Sequence, residues 1–165
     1  MVQGSTVAMK MSKRQSAIAL GSNLGDSTKI LEASVLMIKA HPHIDLLNCS
    51  RWYQTKPVGP PQPDYLNGCI TIKTELSPEQ LLEFLLNVEQ KFGRERKEKW
   101  GARTLDLDII LYDNLMIDLP HLKIPHPLMR ERAFVLTPLA EIAPSWLDPL
   151  TGLTAMELRN KLENN

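Results

Sequence analysis

Between Thr104 and Tyr112 the chain alternates two kinds of residue. Leu105, Leu107, Ile109 and Leu111 are apolar, and Asp106 and Asp108 stand between them. Successive side chains on a strand point to opposite faces, so the segment predicts a strand with its four apolar residues on a core face and two carboxylates side by side on the other. A chain with such a strand must build a sheet with one covered layer, and must find a use for paired acids on the face it leaves open.

The rest of the chain supplies the partners of that strand. Ser16-Ala17-Ile18-Ala19-Leu20, closed by Gly21, reads as a buried strand. A tight turn over Gly21–Ser27 leads into helical spacing at Leu31, Val35 and Ile38, which ends at His41-Pro42. Ile44–Tyr53 predicts a second strand, and Thr55–Asp64, with four prolines, predicts a loop. Leu66, Gly68, Ile70 and Ile72 then alternate with Asn67, Cys69, Thr71 and Lys73, as in a half-buried strand. Ser77-Pro78-Glu79-Gln80 carries the signature of a capping box with proline in the first helical position, and Leu81, Leu85, Val88 and Phe92 follow on one face. The order strand, helix, strand, strand, helix, strand predicts an α+β, ferredoxin-like β-α-β-β-α-β sandwich. Additional C-terminal helices are expected over Glu131–Ile142 and after the box Thr154-Ala155-Met156-Glu157.

Length fits one domain over residues 16–165, preceded by a polar, basic extension over Met1–Gln15 that is expected to be disordered. Lysine plus arginine equals aspartate plus glutamate, so no global field recruits nucleic acid or an anionic membrane. No run approaches the length of a membrane span. Cys49 and Cys69 lie in apolar stretches without zinc-like or disulfide-framework spacing, which predicts two buried thiols in a reducing cytoplasm.

Two like charges held together need a cation. Magnesium takes oxygen ligands, commonly one or two carboxylates completed by phosphate oxygens and water, so Asp106 and Asp108 predict a nucleotide–metal site. Arg94, Arg96, Lys97, Lys99 and Arg103 crowd the residues before the pair and offer donors for phosphate. Gly93 and Gly101 bracket that segment, and Trp100 would cover a bound ligand, as in a loop that closes over ATP and excludes water. Tyr65 and Asn67 share a strand face, a ring for stacking beside an amide that both donates and accepts, which suits a flat heterocycle. His126 sits on a stiff loop between Pro125 and Pro127. Gly21–Ser27 lacks Gly-Lys-Ser/Thr, so it is no P-loop. The acid pair alone also suits a metal-dependent phosphohydrolase or nucleotidyl transferase. An RNA-binding sheet would want paired aromatics and a basic face, which these strands do not offer.

Taken in order, several blocks resemble the 6-hydroxymethyl-7,8-dihydropterin pyrophosphokinases of folate biosynthesis. They are Gly21-Ser-Asn-Leu-Gly25, Thr55-x-Pro57-x-Gly59-Pro60 with Asp64-Tyr65-Leu66-Asn67, Gly93-Arg94-x-Arg96, Trp100-Gly101-x-Arg103-x-Leu105-Asp106-Leu107-Asp108, Pro125-His126-Pro127 and Arg132-x-Phe134-Val135-Leu136-x-Pro138-Leu139. The resemblance implies transfer of the β,γ-diphosphate of ATP to the pterin hydroxymethyl group with release of AMP, by a monomer. It implies that Asp106 and Asp108 bind two Mg2+ ions, that Tyr65 and Phe134 sandwich the pterin and that Asn67 reads its edge. Thr55 and Val58 would line the pocket, and Glu89 matches a family acid near it. Arg94, Arg96, Trp100 and Arg103 would form the mobile catalytic loop and phosphate clamp, with Ile109, His126 and Arg132 against ATP.

Overall fold

In the computed structural model, which describes residues 12–57, 59–93 and 104–164, the alternating segments assemble into one antiparallel sheet. The elements run β1 (Arg14–Ser22), α1 (Ser27–Lys39), β2 (Ile44–Cys49), β3 (Tyr53–Thr55), β4 (Tyr65–Thr74), α2 (Pro78–Lys91), β5 (Asp106–Tyr112), β6 (Ile117–Leu119), β7 (Leu122–Ile124), α3 (Ala133–Ile142) and α4 (Ala155–Glu163). The sheet order is β2-β4-β1-β5, with β3 also paired to β4.

Helices cover both faces. Leu31 and Ile38 of α1 and Leu81, Leu85 and Val88 of α2 pack on Ile18, Leu20, Ile70, Ile72, Leu107 and Ile109. On the reverse face, Val135, Leu136 and Leu139 of α3 and Leu158 of α4 pack on Ala17, Cys69 and Leu111. Strand β4 is therefore buried on both sides over most of its length, and not half-buried as its alternation suggests. Both expected capping boxes form. In one, the Gln80 N–H donates to Ser77 Oγ at 3.2 Å and the Ser77 N–H to Gln80 Oε1 at 2.9 Å. In the other, Thr154 and Glu157 exchange the same pair of bonds.

Four expectations change. The predicted second strand divides into β2 and β3, because Ser50 interrupts it. Its N–H donates to the Cys69 carbonyl at 2.9 Å while its hydroxyl accepts the Cys69 N–H at 2.9 Å. Leu111 leaves the face of Leu105, Leu107 and Ile109. Ile18 pairs with Ile109 and Ala17 with Leu111, so Ile110 is unpaired and the bulge reverses the alternation beyond it. Leu111 then joins the C-terminal helices, and Tyr112 turns to the α1–α2 layer. Cys49 is exposed, since β2 is an edge strand and its last residues lie open. Finally, β1 begins at Arg14, ahead of the expected Ser16, with the Gln15 N–H held by Asp113 Oδ1 at 2.7 Å. The hairpin β6–β7 was not expected; its three-residue runs are too short to show a period.

Candidate active site

The C-terminal helices cover only part of their face of the sheet. Where they stop, β1 offers Ala19 and Gly21, and the register sets Asp108 opposite Ala19 and Asp106 opposite Gly21. On the other side of Gly21 comes Asn67, and opposite Asn67 comes Tyr53. A row of Asp106, Gly21, Asn67 and Tyr53 thus crosses four strands on one face. The two acids project from it as the alternation requires, with Asp108 exposed and Asp106 partly buried.

Gly21 lets this row close up. A methyl group there would stand 2.9 Å from Asn67 Nδ2 and 3.6 Å from the Tyr65 ring. Asn67 itself is buried, and its Oδ1 accepts the Thr55 hydroxyl at 2.5 Å. That bond orients the amide and leaves Nδ2 to face an acceptor. Thr55, Tyr65, Asn67 and Tyr53 form a block of paired residues on β3 and β4. Phe134 opens α3, which lies against β4, and the Arg132 guanidinium carbon stands 5.3 Å from its ring centre.

His126 approaches the acids from the other side. Its N–H donates to the Ile110 carbonyl at 3.0 Å, and its Nδ1 accepts the Leu128 N–H at 3.2 Å, which assigns the neutral ring's proton to Nε2. Burial lowers its pKa; Asp108 opposes that shift and Arg132 adds to it, as expected if all three share one neighbourhood.

Two expected residues have buried side chains. Ile109 faces the α1–α2 core and is 5 % exposed. Glu89, although 3 % exposed, is a carboxylate on α2, and its Oε2 accepts the Leu107 N–H at 2.6 Å. Leu107 separates the two aspartates on an edge strand, so this bond sets Glu89 at the outer edge of β5. Val58, between Pro57 and Gly59, and Arg94, Arg96, Trp100 and Arg103, between Gly93 and Thr104, lie outside the described residues.

The site also contains residues that alternation and charge did not single out. Asn23 is 3 % exposed and its Nδ2 donates to Gln62 Oε1 at 2.8 Å and to the Pro63 carbonyl at 2.9 Å, tying the proline-rich loop to the β1–α1 turn. Its signal was the turn Gly21–Gly25, where Gly25 takes a φ of +82° that favours glycine. Tyr53 could have been found as the residue two before Thr55.

Among the described residues no group of three or more His, Cys, Asp and Glu converges on a point. The donor set is two carboxylates, which fits magnesium, an ion that draws its remaining ligands from phosphate and water, better than zinc or calcium. No helix among the described residues is long and apolar enough to cross a membrane.

The profile of the 7,8-dihydro-6-hydroxymethylpterin-pyrophosphokinase (HPPK) family matches residues 17–144. The chain is 48% identical over 146 residues to the 2-amino-4-hydroxy-6-hydroxymethyldihydropteridine pyrophosphokinase of Synechocystis, covering 88% of this chain and 75% of that one. It is 48% identical over 127 residues to the enzyme of the same name from Haemophilus influenzae, covering 76% and 79%. Its fold matches the crystal structure of Plasmodium falciparum HPPK-DHPS with pteroate at a TM-score of 0.73 and 13% identity, over 91% of this chain and 42% of that one.

Proposed function

Since the chain belongs to the 7,8-dihydro-6-hydroxymethylpterin-pyrophosphokinase family, we propose that the sheet face carrying Asp106, Asp108, Asn67 and Tyr65 is where it performs that family's reaction. The protein transfers pyrophosphate from ATP to the hydroxymethyl group of 6-hydroxymethyl-7,8-dihydropterin in folate biosynthesis. The observation that carries the placement is the register: Asp106 and the oriented Asn67 amide lie in one row, separated only by Gly21 of β1, and Asp108 lies on the same face opposite Ala19.

On this reading Asp106 and Asp108 hold two Mg2+ ions against the phosphates of ATP. Bound there, the metal neutralises charge on the phosphates and helps align them for in-line displacement. Asn67, its oxygen taken by Thr55, offers Nδ2 to an acceptor on the pterin edge, and Tyr65 and Phe134 supply flat faces for the ring. Val58 completes that pocket. His126 and Arg132 meet ATP, whereas Ile109 contributes through its main chain, because its side chain is in the core. Arg94, Arg96, Trp100 and Arg103 act as the loop that closes on the phosphates. Glu89 fixes the edge of β5 between the two acids through the Leu107 N–H and supports the pterin site from there. The substrate hydroxyl oxygen bonds to the β-phosphorus as the bond from that phosphorus to the α,β-bridging oxygen breaks; AMP leaves with that oxygen and the hydroxyl proton passes to solvent, so catalysis rests on positioning and charge neutralisation without a dedicated base. We read the strand order, with α1 and α2 on one face, as a ferredoxin-like sandwich to which α3 and α4 add a second layer. Two free thiols, one of them exposed, suit a reducing cytoplasm, and a single chain carries the whole site.

AMP is expected from ATP only when the pterin acceptor and magnesium are both present. Acceptor-independent phosphate release, or ADP as the product, in a chromatographic nucleotide assay would instead favour a hydrolase or simple kinase. A second measurement addresses the row itself. Gly21→Ala is expected to weaken pterin binding about tenfold, the cost of displacing one good hydrogen bond, while ATP affinity stays within about twofold of wild type. Calorimetric titration of each ligand separates the two.

A further inference from the structure

Beyond the described pocket, Glu141 at the last turn of α3 gathers the start of β3. Its Oε1 and Oε2 each accept the Arg51 N–H at 3.2 Å, and Oε1 also accepts the Tyr53 hydroxyl at 2.5 Å. Arg51 Nη2 donates to the Tyr53 oxygen at 3.1 Å, with its guanidinium carbon 5.2 Å from the Tyr53 ring centre. The three residues form a closed triangle of charge-assisted bonds.

Strand β3 has reason to need such a tether. It contributes only three residue pairs to the sheet, all with β4, and the proline-rich loop follows it immediately. Short edge segments with few pairs open at little cost, independently of global unfolding. Yet Tyr53 is the cross-strand neighbour of Asn67, and Thr55 holds the Asn67 amide. We propose that Glu141 is a positioning residue for the acceptor pocket: by clasping Tyr53 and the Arg51 main chain, it locks β3 against α3 and so fixes Thr55 and Asn67 relative to the helix that carries Phe134. The clasp touches no reacting atom, and its place in catalysis rests on the pocket assignment made above.

Because the pocket is competent only while β3 is docked, apparent pterin affinity scales with the docked fraction; a variant docked about a tenth of the time binds about tenfold more weakly. Glu141→Ala is expected to raise the pterin Kd by about that factor, with Tyr53→Phe intermediate and the double variant no worse than Glu141→Ala. Glu141→Gln, which keeps an acceptor oxygen, is expected to restore most of the affinity. ATP affinity, turnover at saturating pterin and melting temperature are expected to stay near wild type. Amide hydrogen exchange at Tyr53–Thr55, measured without ligand, is expected to accelerate in Glu141→Ala. Unchanged exchange overturns the clasp, and so does a loss of ATP and pterin affinity together with a fall in melting temperature. If the wild-type protein binds no pterin, the pocket assignment fails, and exchange alone decides whether Glu141 holds β3.

Discussion

Asp108→Ala is expected to lower turnover by roughly a thousandfold, about 4 kcal/mol of transition-state stabilisation, with pterin affinity largely kept. The side chain is exposed and faces Ala19 across the strand pair, so its removal leaves no cavity and no orphaned partner in the core. On the proposed assignment it removes one of the two carboxylates that would hold a divalent cation, and with it the neutralisation of phosphate charge that in-line transfer needs. Circular dichroism and thermal melts are expected to match wild type, so the loss reads as chemistry. Single-turnover measurement of AMP formation gives the effect directly, and near-normal turnover would remove Asp108 from the metal site.

A second large effect is expected far from that chemistry, at Asp148. Its side chain is fully buried and accepts a forked pair from Arg130, Nε to Oδ2 at 2.6 Å and Nη2 to Oδ1 at 2.9 Å, together with the Thr151 hydroxyl and the Leu150 N–H. Truncating one partner of a buried pair strands the other, so Asp148→Ala is expected to cost about 3–5 kcal/mol and to lower the melting temperature by roughly 10 °C. Burial pushes the Asp148 carboxyl up, but the Arg130, Thr151 and Leu150 donors outweigh it and hold the pKa below the usual range. A depressed carboxylate contributes its full stability above the unfolded value, near pH 4, and loses it as the pH falls through the lower folded value. The wild-type melting temperature is therefore expected to drop below about pH 4 more steeply than that of Asp148→Asn, a comparison differential scanning calorimetry makes directly. Equal slopes would deny the pair its role.

Much of this architecture is written in local rules. The strand carrying Asp106 and Asp108, the capped starts of α2 and α4, and the shared face of Tyr65 and Asn67 follow from period and capping chemistry, which act over a few residues. The failures are all non-local. Nothing around Ile110 announces a bulge, because the bulge arises from register against β1. Cys49 looks buried until the sheet order makes β2 an edge. The hydrogen bond from the Leu107 N–H to Glu89 likewise depends on how α2 packs beside β5. Tyr53 and Glu141 are distant in sequence, and only the packing of α3 beside β3 makes them partners.

The unpaired Ile110 divides β5 into two halves that are phased independently. Up to Ile109, odd positions serve the α1–α2 layer and even positions present the acids; past it, Leu111 serves the other layer and the Tyr112 hydroxyl reaches the Leu76 carbonyl. The Ile110 carbonyl, released from regular pairing, receives the His126 N–H instead. The bulge thus works as a swivel between the half that presents the two acids and a scaffolding half. Substitutions that accumulate beyond it can be absorbed by α3 and α4 without turning Asp106 and Asp108 away, whereas loss of one residue at the swivel would exchange the faces on which the two halves depend.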